Sequence, residues 1–114
     1  MITLWHNPRC SKSRQALALI EAAGTQVSVR LYLQDAPSVA EITEVRRALG
    51  DVAVIKMMRC GEKRFKELGL SKDMSDTTLI AAMAKNPVLI ERPIAIKDNQ
   101  AVIGRPPEAV KVML

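Results

Sequence analysis

Apolar and polar positions along the chain fall into periodic blocks, and the period changes from block to block. Residues 2–6 form a short, mostly apolar run that reads as a strand, and Asn7-Pro8 after it is a turn signal. From Ser11 to Ala23 the residues Ala16, Leu17, Ile20 and Ala23 recur at helical spacing, and Gly24 supplies the stop. Residues 26–33 alternate, placing Val27, Val29, Leu31 and Leu33 on one face, the period of a strand.

The middle of the chain changes to helical signals. Ser38 stands three residues before Glu41, a capping-box spacing, and opens a helix that ends near Gly50. The run 52–58 suits either a helix capped by Asp51 or a buried strand. Residues 62–70 predict a helical turn stopped by Gly69, and Ser75 caps a helix that runs to Asn86-Pro87. Residues 93–97 and 100–104 pair as a hairpin about Asp98-Asn99, and Pro106-Pro107 opens a last helix. The order is β-α-β, a helical block, then β-β-α. A crossover joins parallel strands and a hairpin adds an antiparallel pair, so an α/β fold follows: one mixed four-stranded sheet with flanking helices.

With 114 residues the chain has the length of one domain, expected to span 1–114. No apolar run approaches the roughly 18 residues of a bilayer span, so no membrane partner is expected. Met1 to Trp5 lack the features of a secretory signal, and the expected location is cytoplasmic. Two cysteines and a single histidine are too few for a zinc site, so no metal is expected. The formal net charge of +5 favours anionic partners. Three aromatic residues and no Lys/Arg block longer than Arg46-Arg47 argue against nucleic acid. A monomer is the default for a compact domain with no apolar stripe left over.

The candidate chemistry lies in the turn His6-Asn7-Pro8-Arg9-Cys10-Ser11-Lys12-Ser13-Arg14. A cysteine at a helix N-terminus has unpaired backbone N–H groups and the positive end of the helix dipole beside its sulfur, which stabilise the thiolate. The same geometry receives an oxyanion. The Ser13 hydroxyl is within sequence reach of the sulfur, and Arg9, Lys12 and Arg14 add positive charge nearby. His6 is either a neighbour of Cys10 or a proton relay. The spacing is Cys-x-x-Ser, so no disulfide forms within the turn, and a redox cycle is closed by an external thiol or by Cys60. That points to a one-thiol mechanism using glutathione. The structural alternative is an inert cysteine near a helix start.

Arg59, Arg92 and Arg105 occupy positions that helix faces do not explain, and guanidinium forks bind tetrahedral oxyanions in paired hydrogen bonds. With the opening motif at 6–14, Glu67-Leu68-Gly69-Leu70, Leu89 to Ile94 and Ile103 to Glu108, the chain resembles the glutaredoxin-coupled arsenate reductases, the ArsC family of the thioredoxin-like superfamily, over essentially its whole length. The resemblance implies a thioredoxin-like sheet with a helical insertion between its βαβ and ββα halves. It implies that Cys10 is the catalytic nucleophile and that Arg59, Arg92 and Arg105 surround the oxyanion. It further implies that His6, Ser13 and Arg14 support the nucleophile, with Ser13 lowering the thiol pKa, and that Pro93 is a cis-proline facing the cysteine. The implied activity is reduction of arsenate to arsenite with glutathione as co-substrate, glutaredoxin as partner and no bound cofactor. Cys60 is a departure, either a bystander or an internal partner for Cys10. Two other functions fit the same residues. One is a general glutathione-dependent thiol-disulfide oxidoreductase, which needs no oxyanion cage. The other is a redox regulator of the Spx type, for which Ser13 stands where the second cysteine would be.

Overall fold

The computed structural model describes residues 1–114, which group into two compact units: 1–35 with 92–114, and 36–91. The first unit holds the sheet. Strands β1 (Ile2–Trp5), β2 (Val27–Arg30), β3 (Ile94–Lys97) and β4 (Gln100–Ile103) lie in the order β2-β1-β3-β4. β1 pairs parallel with β2, through the crossover helix α1 (Ser11–Ala22), and antiparallel with β3. β3 and β4 form the expected hairpin, with Ile94 opposite Ile103. Asp98 takes the left-handed conformation, at φ 55°, that a tight hairpin turn requires.

Alternation decides which side chains meet. Ile2 and Leu4 of β1 and Ala95 of β3 point to one face and are fully buried against Ala16 and Ile20 of α1. Val110 and Met113, from the C-terminal 3₁₀ segment Pro107–Met113, complete that core. α1 stops as expected: Gly24 takes φ 73°, and its N–H caps Glu21 O. Burying these apolar side chains is the main source of stability, at about 1.5–3 kcal/mol for each large one.

The second unit holds α2 (Val39–Ala48), α3 (Lys63–Glu67) and α4 (Asp76–Lys85), with 3₁₀ turns at Val54–Met57 and Pro87–Leu89. Both helix starts read from the sequence are present. Ser38 and Glu41 form a reciprocal capping box, and Ser75 Oγ accepts the Thr78 N–H. Arg46 links α2 to its surroundings through Val52 O at 2.8 Å and Asp76 Oδ2, at the start of α4, at 3.3 Å. No helix in the chain is long and apolar enough to cross a membrane.

Three expectations need correction. The second strand ends at Arg30, four residues long, and the alternation beyond it is not a buried face. Val29, Leu31 and Leu33 are 43%, 37% and 42% exposed, while Tyr32, out of phase with them, is fully buried. β2 is an edge strand, and the chain turns at Leu31, whose carbonyl accepts the N–H groups of Gln34 and Asp35. The run 52–58 forms neither an α-helix nor a strand: Val54–Met57 make a single 3₁₀ turn, and Met58 makes an isolated antiparallel bridge to Ile90. Asp51 sits at φ 55°, outside the extended conformation of an N-cap, and the β-branched Val52, Val54 and Ile55 disfavour a helix. The last helix is 3₁₀ rather than α.

Gly104 is buried, and a side chain there would place its Cβ 2.8 Å from Pro93 Cγ and 3.2 Å from Val110 Cγ1. A proline ring has little room to yield. Gly104→Ala is therefore expected to destabilise the protein by about 1–3 kcal/mol, read as a lower denaturation midpoint at unchanged slope.

Candidate functional site

The turn from His6 to Arg14 joins β1 to α1, and one residue organises it. Asn7 accepts the Cys10 N–H at its carbonyl (3.0 Å) and the Arg9 N–H at Oδ1 (3.0 Å), and its own N–H donates to Ser13 Oγ (3.0 Å). Arg14 reaches back from α1 to donate from Nη1 to Pro8 O at 2.8 Å. Asn7 was not among the expected site residues, although Asn before Pro is a turn former whose short side chain bonds to the backbone two residues on.

Cys10 is the N-cap residue of α1, in an extended conformation (φ −93°, ψ 121°), and its carbonyl accepts the first helical bond, from Arg14 N–H at 3.0 Å. Its thiol is partly buried and free. Burial pushes the thiol pKa up, but four other influences outweigh it: the Ser13 N–H, the charge of Arg92, the Lys12 N–H and the Arg105 guanidinium. The net effect is a pKa below the ordinary thiol value. Arg105 Nη1 lies 4.0 Å from Cys10 Sγ and donates to the backbone carbonyl of Arg92 at 3.2 Å, while the charge of Arg92 also acts on the thiol.

Ser13 does not act as its sequence position suggested. Its hydroxyl is fully buried, accepts the Asn7 N–H and meets His6 Nδ1 at 2.6 Å; the group directed at the sulfur is its backbone N–H. The direction of the Ser13–His6 bond follows the imidazole tautomer, since the hydroxyl can donate to Nδ1 or accept from it. Burial and the Arg14 charge lower the His6 pKa, against the opposing pull of Glu21, so the imidazole is neutral at neutral pH. His6 thus braces Ser13 and, through it, the turn. Ser13→Ala is expected to cost about 1–3 kcal/mol by stranding the buried His6 Nδ1 and the half-buried Asn7 N–H. Thiolate absorbance is expected to show the Cys10 pKa still depressed, because the amide remains.

The peptide bond from Arg92 to Pro93 is cis, as expected, and a second cis bond, Arg105 to Pro106, was not anticipated. The Pro93 ring packs against Gly104, whose N–H donates to Pro93 O at 2.8 Å. The sheet unit therefore brings together Cys10, His6, Ser13, Arg14, Arg92 and Arg105. Arg59 belongs to the helical unit, where Nη2 pairs with Glu62 Oε2 at 3.1 Å and Nη1 approaches Val88 O at 3.5 Å. Cys60 is an exposed free thiol whose sulfur lies 3.9 Å from the carbonyls of Ile55 and Met58. No group of three or more His, Cys, Asp or Glu residues is arranged to hold a metal ion.

This arrangement offers a stabilised thiolate nucleophile with the Arg105 guanidinium beside it and the Arg92 charge acting on it, on a sheet whose order and cis-proline match the resemblance drawn from the motifs. Comparison with known proteins bears on the same residues. An arsenate reductase of Haemophilus influenzae is 44% identical over 99% of this chain and 98% of its own. One of Neisseria meningitidis is 40% identical over 99% and 97%. The solved arsenate reductase of Vibrio cholerae superposes with a TM-score of 0.95 at 48% identity, covering 99% of this chain and 97% of its own, so the fold is thioredoxin-like. The sequence pattern of the ArsC family spans residues 5–113, from the strand that leads into the Cys10 turn to the C-terminal segment packed on α1, and the chain belongs to that family.

Proposed function

We propose that the protein is an arsenate reductase that uses glutathione and a glutaredoxin, acting in the cytoplasm as a single-domain monomer without a bound cofactor. The observation that carries this reading is the depressed Cys10 thiol at the N-terminus of α1, with the Arg105 guanidinium beside it and the charge of Arg92 acting on it. The names of its relatives favour the same activity.

In this reading Arg92 and Arg105 receive the arsenate oxygens, and the motif resemblance assigns Arg59 to the same oxyanion. The Cys10 thiolate attacks arsenic, an S–As bond forms and an arsenate oxygen leaves as water. The thiol of glutathione then attacks Cys10 Sγ. An S–S bond forms, the electron pair of the S–As bond stays with arsenic, and arsenite departs. Two sulfurs have each lost one electron and arsenic has gained two. A glutaredoxin thiolate takes the glutathione off Cys10 and restores the thiol. Phosphate has the same shape and charge, so the guanidinium groups do not discriminate against it. Discrimination comes from arsenic accepting electrons from sulfur.

The test is NADPH oxidation coupled through glutathione reductase, with arsenate, glutathione and glutaredoxin each omitted in turn. Turnover that needs all three is expected. Turnover that persists without arsenate, on a glutathione mixed disulfide, would favour the general thiol oxidoreductase instead.

A further inference from the structure

A cleft of about 250 Å³ opens beside the Cys10 turn. One wall is Asn7, Pro8 and Arg9, the residues leading into the nucleophile; the other is Leu31, Leu33 and Gln34, in the turn after β2. Both walls are closed by hydrogen bonds. Asn7 holds the Arg9 and Cys10 amides, and opposite it Leu31 O holds the Gln34 and Asp35 amides at 3.0 and 2.9 Å. Arg30 clasps that second turn, with Nε 3.1 Å from Asp35 O and 3.2 Å from Asp35 Oδ2. The cleft is built into the fold and does not need a ligand to open it.

Its chemistry is specific. Two exposed leucines supply apolar surface where the sequence pattern expected a strand face, Arg9 supplies a cation, and Asn7 and Gln34 supply carboxamides. No carboxylate lines the cleft, and the neighbouring Asp35 is paired with Arg30. That set suits a small molecule with an amide stem and a free carboxylate. Reach narrows the choice further. The Cα atoms of Arg9 and Cys10 are about 3.8 Å apart across a trans peptide, and each residue of extended peptide spans roughly 3.5 Å. Cys10 follows Arg9 directly in the chain, so a tripeptide anchored at Arg9 by a terminal carboxylate is long enough for its central side chain to reach the Cys10 sulfur.

We propose that this cleft is the docking site for glutathione, with a terminal carboxylate on Arg9 and the stem against Leu31 and Leu33. The proposal rests on Cys10 being turned over by glutathione, as above, but not on arsenate being the substrate.

Disulfide exchange tests it without arsenate. The Cys10 thiolate attacks one sulfur of oxidised glutathione, the S–S bond of that molecule breaks as the Cys10–glutathione bond forms, and one glutathione thiolate leaves. The rate constant is compared with that for bis(2-hydroxyethyl) disulfide, which has neither carboxylate nor amide, in full-length protein carrying Cys60→Ser so that one thiol reports. Taking the ratio of the two constants cancels any change in Cys10 itself. Arg9→Ala and Leu33→Asp, both at exposed positions, are each expected to lower that ratio about tenfold, as the loss of one charge-assisted contact or the gain of a repelling charge should. A ratio within about twofold of the parent in both variants overturns the proposal. A lowered ratio in a protein that does not reduce arsenate would keep the docking site and remove the arsenate reading; an unchanged ratio with normal arsenate turnover would do the reverse.

Discussion

Cys10→Ser will lower arsenate-dependent turnover by about a thousandfold or more while leaving the denaturation midpoint nearly unchanged. The serine hydroxyl is not ionised near neutral pH and carries no sulfur electron pair to give to arsenic, so both chemical steps are lost. The loss of turnover has a pH counterpart in the wild type. The folded Cys10 thiol titrates below its ordinary value, because the Ser13 and Lys12 amides and the two arginines outweigh the opposing effect of burial. At a given pH more of Cys10 is therefore thiolate than of an ordinary thiol, and alkylation by iodoacetamide is expected to slow as pH falls through the lowered value. The corresponding stability is present above the unfolded thiol pKa and is lost as pH falls through the folded one. Arg92→Ala removes one of the lowering charges and moves the fall in alkylation rate to higher pH.

Arg105→Ala should lower kcat/KM for arsenate by about 10²–10³-fold, the usual cost of removing one preorganised donor from an oxyanion site. Arg105 has two tasks in the sheet unit. It donates to Arg92 O at 3.2 Å, which fixes its position, and it lies 4.0 Å from the sulfur that the oxyanion must approach. Lysine should not restore the activity, since a point charge does not reproduce the two parallel donors of a guanidinium. Steady-state kinetics with arsenate varied at saturating glutathione checks this. If Arg105→Ala kept its arsenate kinetics yet lost reactivity toward glutathione, the oxyanion role would be misassigned.

The sequence showed most clearly what is local. Asn7-Pro8 and the helical spacing after Ser11 were enough to put Cys10 at the start of α1. Ser38 and Ser75 cap their helices as read, because a cap depends on residues within one turn of each other. What failed was alternation carried past its physical limit. Val27, Val29, Leu31 and Leu33 keep the period of a strand, but a period does not reveal that β2 is an edge strand ending at Arg30. The leucines beyond it line a cleft instead of a core. Ser13 shows a finer limit. Its spacing from Cys10 placed it near the sulfur, but not which of its atoms points there, and the hydroxyl is committed to His6 and Asn7. The pairing of Arg92 with Arg105 depends on the β3–β4 hairpin register, which sets residues 13 apart side by side and has no signature in either local motif.

The most direct test of the account is a single turnover with arsenate and glutathione in the absence of glutaredoxin, followed by peptide mapping by mass spectrometry and measurement of arsenite. One glutathione per chain is expected, attached at Cys10 only when arsenate is present, with one arsenite released for each. Arsenite formed without glutathione on Cys10, or with the adduct on Cys60 instead, would contradict it.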